Sequence, residues 1–319
     1  QHHCRVPDAT TAASGDVARS GADGAAMTHI NSISCGQGAP SLFLIVMAGE
    51  GMFPADVVIV ADTGWENDML WNTGKRTTAR EFFEEVTKPL AAKHNIDAVM
   101  VRTIDENGKL YDAIPDSIQR KQMMSGTAKP NGDGDWSDRY GLDIPLFGSK
   151  GGRLKQSCTS KWKIQAIRQE LRRRGATTAT TALGLHRTES HRIKPSDNKW
   201  ALQCWPLCDL QETAGDGIAE MGIGRTWDRA SIQTEMDRRN VPYLVTTECD
   251  GCPHKDWARW QRTSLSTIEE LAVFEAQFGG EFFLTSYRKP LKEALALMEL
   301  DNDKGANLFD MCDSGYCFV

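Results

Sequence analysis

The chain of 319 residues predicts an α/β fold. Its core is a doubly wound, mostly parallel sheet, followed by a helical, cysteine-containing C-terminal part. Three observations carry this reading. Val57-Val58-Ile59-Val60-Ala61 is an unbroken apolar run, the pattern of a strand buried on both faces. A strand pattern at His29–Ser34 passes through a Gly-rich turn into a helix pattern at Pro40–Gly49. Strand and helix patterns then alternate as far as Leu185, which is the order of a parallel sheet.

Composition bounds the class. Hydrophobic residues make up 40% and charged residues 25%, ordinary values for a globular protein. With 37 Lys and Arg against 43 Asp and Glu, the net charge of −6 gives no overall basic field to draw the chain onto nucleic acid or a membrane. No run of eighteen apolar residues suggests a membrane span, and the first 26 residues lack the charged-then-apolar pattern of a secretory signal. The expected location is cytoplasmic, with no membrane partner.

Taken in order, residues 1–26 are rich in Ala, Gly, Ser, Thr and Asp and are expected to be disordered, with Met27 as the expected natural start. Residues 27–200 form the expected nucleotide-binding domain and 201–319 the helical, cysteine-containing region with a mobile tail. After the two opening strands, a helix is expected from Thr77 to His94 and a third strand from Ala98 to Arg102. Gly126–Gly152 reads as a long loop and Thr159–Arg174 as a strongly basic helix. Thr178–Leu185 reads as the fourth strand, and helices follow at Arg229–Arg239, Thr267–Phe278 and Leu291–Leu300.

Chemistry concentrates first at Ser34-Cys35-Gly36-Gln37-Gly38-Ala39-Pro40-Ser41. A strand, a Gly-rich turn and a helix N-terminus present backbone N–H groups to an anion, so Ser34, Gly36, Gln37, Gly38 and Ser41 are candidates to hold phosphate. A plain Gly-containing turn is the competing reading. No Gly-Lys-Ser/Thr follows, which excludes a Walker A loop, and the third glycine of the dinucleotide fingerprint is missing. Asp62-Thr63-Gly64 closes the second strand, at the end of an open parallel sheet where ligands bind. Asp62 there suits a Mg²⁺ ion, a ribose hydroxyl or a helix cap.

Ser34-x-Gly-x-Gly-x-x-Ser41, Ala48-Gly49-Glu50, Val60-Ala61-Asp62-Thr63-Gly64-Trp65-Glu66, Cys158-Thr159 with Lys163-Ile164, Trp205-Pro206-Leu207 and Cys249-Asp250-Gly251-Cys252-Pro253 together resemble the phosphoadenosine phosphosulfate reductase family. This family belongs to the PP-loop adenine-nucleotide α-hydrolase superfamily. The phage and bacterial members with a longer loop are the most similar. The resemblance runs from about Met27 to the C-terminus. It implies an adenine nucleotide (ATP or phosphoadenosine phosphosulfate, PAPS) and chemistry at its α-phosphate or attached sulfate. It also implies a place in sulfur metabolism and a thiol reductant as partner. Other members of the superfamily transfer sulfur to nucleic acid with a desulfurase partner, often using an iron–sulfur cluster. A nucleotide or metal sensor without turnover is a further alternative. The common Ser-Gly-Gly-Lys-Asp-Ser form of the loop carries a Lys and an Asp that are absent here, and Gln37 brings no charge.

Basic residues crowd one segment: Lys155, Lys161, Lys163, Arg168, Arg172, Arg173 and Arg174, with Arg187, His191, Arg192 and Lys194 after the fourth strand. Arg172–Arg174 suit a solvated helix C-terminus, whereas Lys161, Lys163 and Arg192 are the better substrate candidates. The resemblance places a Glu and an Arg after the fourth strand, matched by Glu189 and Arg192, so Lys163 and Arg192 are expected to neutralise a leaving anion.

Nine cysteines in a cytosolic chain favour metal, cluster or redox chemistry over a disulfide framework. Cys249 and Cys252 have the spacing to share a metal, hold part of a cluster or form a redox disulfide. The resemblance adds Cys158 as a third ligand, with Cys312, Cys317, Cys208 or His254 as the fourth, and leans towards [4Fe–4S] over Zn²⁺. Cys312 and Cys317 are equally candidates for a nucleophilic thiol carried on the tail. Cys35, Cys204 and Cys208 read as packing residues.

Overall fold

The computed structural model describes residues 28–116 and 144–303, apart from positions 106, 151, 155, 197 and 216. The expected disorder of 1–26, most of the Gly126–Gly152 loop, Lys155 and the tail with Cys312 and Cys317 lie outside the described residues.

Five parallel strands form the centre of a seven-stranded sheet: β1 (His29–Ser34), β2 (Val57–Ala61), β5 (Asp97–Val101), β7 (Thr178–Leu183) and β8 (Ala201–Trp205). Two short strands, β9 (Leu210–Glu212) and β10 (Ile218–Glu220), extend it antiparallel at one edge. The order is β10-β9-β8-β7-β1-β2-β5, so the chain winds outward from β1 on one side and then returns to build outward from β7 on the other. The switch point falls between β1 and β7, where open α/β sheets bind ligands beyond their strand C-termini. The doubly wound, mostly parallel sheet expected from the sequence is the observed one.

Alternate residues of the buried strands supply two cores. Val58 and Val60 face the helix α1 (Ala39–Gly49), whereas Val57 and Ile59 face the opposite layer. Leu42 through Met47 are all buried, because α1 is enclosed by the sheet, by the helix α2 that starts at Ala79 and ends at Lys93, and by α4 (Arg229–Arg238). A helix apolar all round fits only such an enclosed place, and each of these side chains contributes about 1.5–3 kcal/mol relative to exposure. The helix α2 runs through Ala79–Phe82, a π-helical stretch Phe83–Thr87 and Lys88–Lys93. Thr78 caps it in a box with Glu81, so it begins two residues later than Thr77, which instead ends the short strand β4 (Arg76–Thr77).

The opposite face is covered by α3, which opens with a π-helical stretch Thr159–Ile164 and continues as Gln165–Arg173. Ile167 and Leu171 of α3 pack on Val57, Ile59, Ala179 and Ala201. A separate aromatic core joins Trp65, Trp162, Trp260, Phe274, Phe278 and Phe282. It gathers α5 (Trp257–Gln261), α6 (Leu265–Ala276) and α7 (Leu291–Asp303) beside the turn after β2. Two small two-stranded pairings complete the fold, β3 (Met69–Leu70) with β4 and β6 (Phe147–Gly148) with β11 (Phe282–Phe283). Among the described residues, no helix is long and apolar enough to cross a membrane.

Candidate functional site

A cleft open to solvent runs from the carboxyl ends of β1 and β2 beneath the helix α3 to β7 and β8. Ser34, Cys35, Gly36 and Gln37 form one wall, with Val60 and Ala61 of β2 beside them. Lys163, Ile164, Ile167 and Arg168 of α3 overhang it, and Thr181, Leu183 and Gln203 extend the floor under β7 and β8. The lining is mainly apolar with a few converging polar groups, the usual make-up of a small-molecule site.

The loop after β1 is held by residues far away in sequence. Leu244 pairs with Gly38 as an isolated parallel bridge, and its N–H donates to the Gln37 carbonyl at 3.1 Å. A methyl group on Gly38 would stand 3.1 Å from Thr247 Cγ2, so glycine here serves close packing against Thr247. Gln37 has φ of +64°, a left-handed conformation that costs a residue with a Cβ. Its side chain turns inward: Nε2 donates to the Ala79 carbonyl at 3.0 Å and Oε1 accepts from Thr87 Oγ1 at 3.0 Å. Gln37 therefore braces the loop against α2 while its backbone faces the cleft. Ser41 Oγ donates to the Gly38 carbonyl at 3.1 Å and accepts from Cys35 Sγ at 3.6 Å, and Ser41 does not line the cleft. A methyl on Gly184, just past β7, would stand 3.0 Å from the Ser41 nitrogen, so β7 ends directly against the start of α1.

Asp62 stands at the end of β2 with its carboxylate engaged. It accepts from Gly64 N at 2.8 Å, from Arg80 at 2.7 Å and from Arg102 at 2.8 Å. The two guanidinium groups already neutralise this carboxylate, an environment that does not fit a divalent cation. Gly64 has φ of +70°, and a Cβ there would meet Ala113 and Arg102. Thr63 is fully buried, its hydroxyl accepting from Trp65 N at 3.3 Å. Asp62, Thr63 and Gly64 build the turn, and the residue this turn delivers to the cleft is Glu66.

Glu66 lies 3.4 Å from Lys163 Nζ, and both are mostly buried. Lys163 sits in the π-helical stretch of α3, an irregularity frequent at functional sites. Arg192 is elsewhere, paired to Glu189 at 2.6 Å. Glu189 also faces His186, whose Nε2 is 3.2 Å away and whose pKa is held below its ordinary value by burial. None of these three lines the cleft. The end of α3 is internally paired: Arg173 and Arg174 bind Glu170, Arg174 also binds Asp97, and Arg172 lies over the Trp200 ring. Arg172 and Arg173 are exposed, as expected of a solvated helix end, and Arg174 is half-buried between its two carboxylate partners.

Cys249 approaches Thr63 Oγ1 at 3.5 Å and Glu66 Oε1 at 3.7 Å. Cys252 is buried in the turn that follows, and Cys158 stands just ahead of α3. Among the described residues, no three His, Cys, Asp or Glu side chains converge as metal ligands. Cys312, the remaining expected ligand, falls outside the described residues. Both ring nitrogens of His254 are occupied, by Arg153 at 3.2 Å and Gln156 at 3.0 Å, and burial pushes its pKa down to about 4. Burial pushes the thiols of Cys35 and Cys208 up to about 11 and that of Cys204 up to about 12, which suits packing and not nucleophilic chemistry.

The sequence reading gave no role to Glu66, Gln203 or His186. Gln203 carried a trace, as a lone amide within the apolar run Ala201-Leu202-Gln203-Cys204-Trp205. Leu244 and Thr247 carried none, since their part is to clamp a loop far upstream.

Fold and cleft together define an open α/β sheet protein with a cleft at its topological switch point, the place where such sheets take their ligands. No family model matches the sequence, and no curated protein matches it. Among solved structures, the chain is similar to a phosphoadenylyl-sulfate (PAPS) reductase from Candida auris in a phosphate complex. The identity is 12%, with a TM-score of 0.34, over 67% of this chain and 74% of that one.

Proposed function

We propose that the chain is an enzyme of the PAPS-reductase kind, binding an adenine nucleotide in the cleft and acting at its phosphate or sulfate. One observation carries the reading. The backbone of Ser34–Gln37 and the Lys163 side chain face the same cleft beside an apolar slot formed by Val60, Ala61, Met69 and Leu244. A nucleotide asks for this pairing, with its base in the apolar slot and its anionic chain on loop N–H groups and a cation. Glu66 holds Lys163 in place, so the cation is positioned before the ligand arrives. No step is assigned to a metal or cluster, and Cys312 and Cys317 stay as candidate thiol donors.

Calorimetric titration with ATP and with the sulfonucleotide PAPS tests the reading. One of them should bind saturably, and Lys163→Met should weaken it about 10- to 100-fold, the worth of one charge-assisted hydrogen bond of roughly 1.5–3 kcal/mol. Release of sulfite or pyrophosphate would then establish turnover. Absence of saturable binding, or binding untouched by Lys163→Met, would overturn it.

A further inference from the structure

The end of the cleft beneath β7 and β8 has a chemistry of its own. Ser32, Thr181 and Gln203 stand in register as one row across β1, β7 and β8. Ser32 and Thr181 share a hydroxyl hydrogen bond of 2.9 Å. The Gln203 N–H donates to Glu212 at 2.8 Å, whereas its side-chain amide has no hydrogen bond among the described residues. Arg168 of α3 lines the same cleft as Thr181 and Gln203.

Arg168 differs from its neighbours. Lys163 meets Glu66, Arg172 lies over Trp200, and Arg173 and Arg174 meet Glu170. Among the described residues Arg168 makes no hydrogen bond or ion pair. Partial burial, and then the like charge of Arg172 one turn further along the helix, lower its pKa. A guanidinium held between a like charge and an apolar cleft gains free energy from an anion, and its planar fork suits two oxygens at once. Gln203, at the far end of the row, lies two strands, about 10 Å, from β1, and Arg168 stands five residues, about 7.5 Å of helix rise, beyond Lys163. An anion at Arg168 and a phosphate on the loop can therefore be present together.

We propose that Arg168, Thr181 and Gln203 form a second subsite, which takes the oxyanion of a small non-nucleotide substrate beside the bound nucleotide. Arg168 grips two oxygens of a sulfate, phosphate or carboxylate, and the Thr181 hydroxyl and Gln203 amide orient what carries it. The inference rests on the nucleotide reading for what occupies the neighbouring loop, but the anion site is testable by itself.

The test follows the arginine side-chain Nε–H resonances of the full chain during titration with sodium sulfate and with sodium acetate at constant ionic strength. Both titrations are run with and without saturating ATP. One arginine resonance should shift saturably, be missing in Arg168→Met and persist with ATP bound. Sulfate affinity should fall at least tenfold in Arg168→Met, fall severalfold in Gln203→Leu, and recover in part in Arg168→Lys. A stronger response to acetate than to sulfate assigns the subsite to a carboxylate, and the reverse to a tetrahedral oxyanion. Unchanged sulfate binding in Arg168→Met, or mutual displacement of sulfate and ATP, overturns the proposal. Saturable sulfate binding at Arg168 in a chain that binds no nucleotide would sink the nucleotide reading and leave the subsite standing.

Discussion

Replacing Gly251 by alanine should destabilise the protein by about 3–4 kcal/mol. A methyl group at this position would lie 2.2 and 2.4 Å from two carbons of the Trp65 ring and 2.9 Å from Leu271 Cδ2. Carbon atoms pack at about 3.5–4.0 Å, so more than 1 Å of movement is required. Trp65 cannot supply it, because the ring is buried and stacks edge-on against Phe274 with centroids 5.2 Å apart. The turn must move instead, and Asp250 moves with it. Its N–H donates to the Trp65 carbonyl at 2.7 Å, and its carboxylate accepts from Asn67 N at 2.9 Å and Asp68 N at 3.2 Å. The clash puts the overpacking cost in the upper part of its usual range, about 2–3 kcal/mol, and weakening these hydrogen bonds without breaking them adds about 1 kcal/mol in all, which gives the stated sum. Urea unfolding followed by tryptophan fluorescence measures the loss as a lower midpoint at constant slope. Gly152→Ala is the control, since nothing lies within 4 Å of a Cβ there, and it should stay within about 0.5 kcal/mol of the parent. A Gly251→Ala protein as stable as this control would refute the packing argument.

Two further outcomes are expected. Gln37→Ala should cost roughly 3 kcal/mol in the same urea assay, because it leaves the buried Thr87 hydroxyl without its partner, strips the Ala79 carbonyl of one of its two donors and opens a void. His186 is held below its ordinary pKa, chiefly by burial, so it stays neutral in the fold while the unfolded chain takes up a proton. The stability it contributes is complete above about pH 6.5 and is lost as the pH falls through the folded value. His186→Asn should flatten that part of the stability–pH profile, and an unchanged slope would count against the buried, neutral imidazole.

Much of the fold was legible because buried parallel strands announce themselves. Val57–Ala61 has no other comfortable place than a sheet centre, and the helix after it begins at a capping box readable in Thr78 and Glu81. The edge strands β9 and β10, at three residues each, are too short to show a period, and β8 hid behind the polar Gln203. The site was legible in part for a related reason. A Gly-rich turn between a strand and a helix is a local pattern, but what its residues do depends on distant partners. Asp62 looked like a ligand for a cation until Arg80 and Arg102 were seen to meet it. Gly38 looked like a phosphate contact, and Thr247 explains it as well.

The bond from Leu244 to Gln37 also bears on the order in which the molecule is made. It closes a span of roughly two hundred residues, so a ribosome must deliver most of the polypeptide before the loop can be clamped. The β1–β2–β5 half can pair early, since its contacts are the shorter ones. A chain truncated before Leu244 would keep the strands that make the scaffold and lose the strut that shapes its mouth. A finished cleft is thus a late property of the nascent protein.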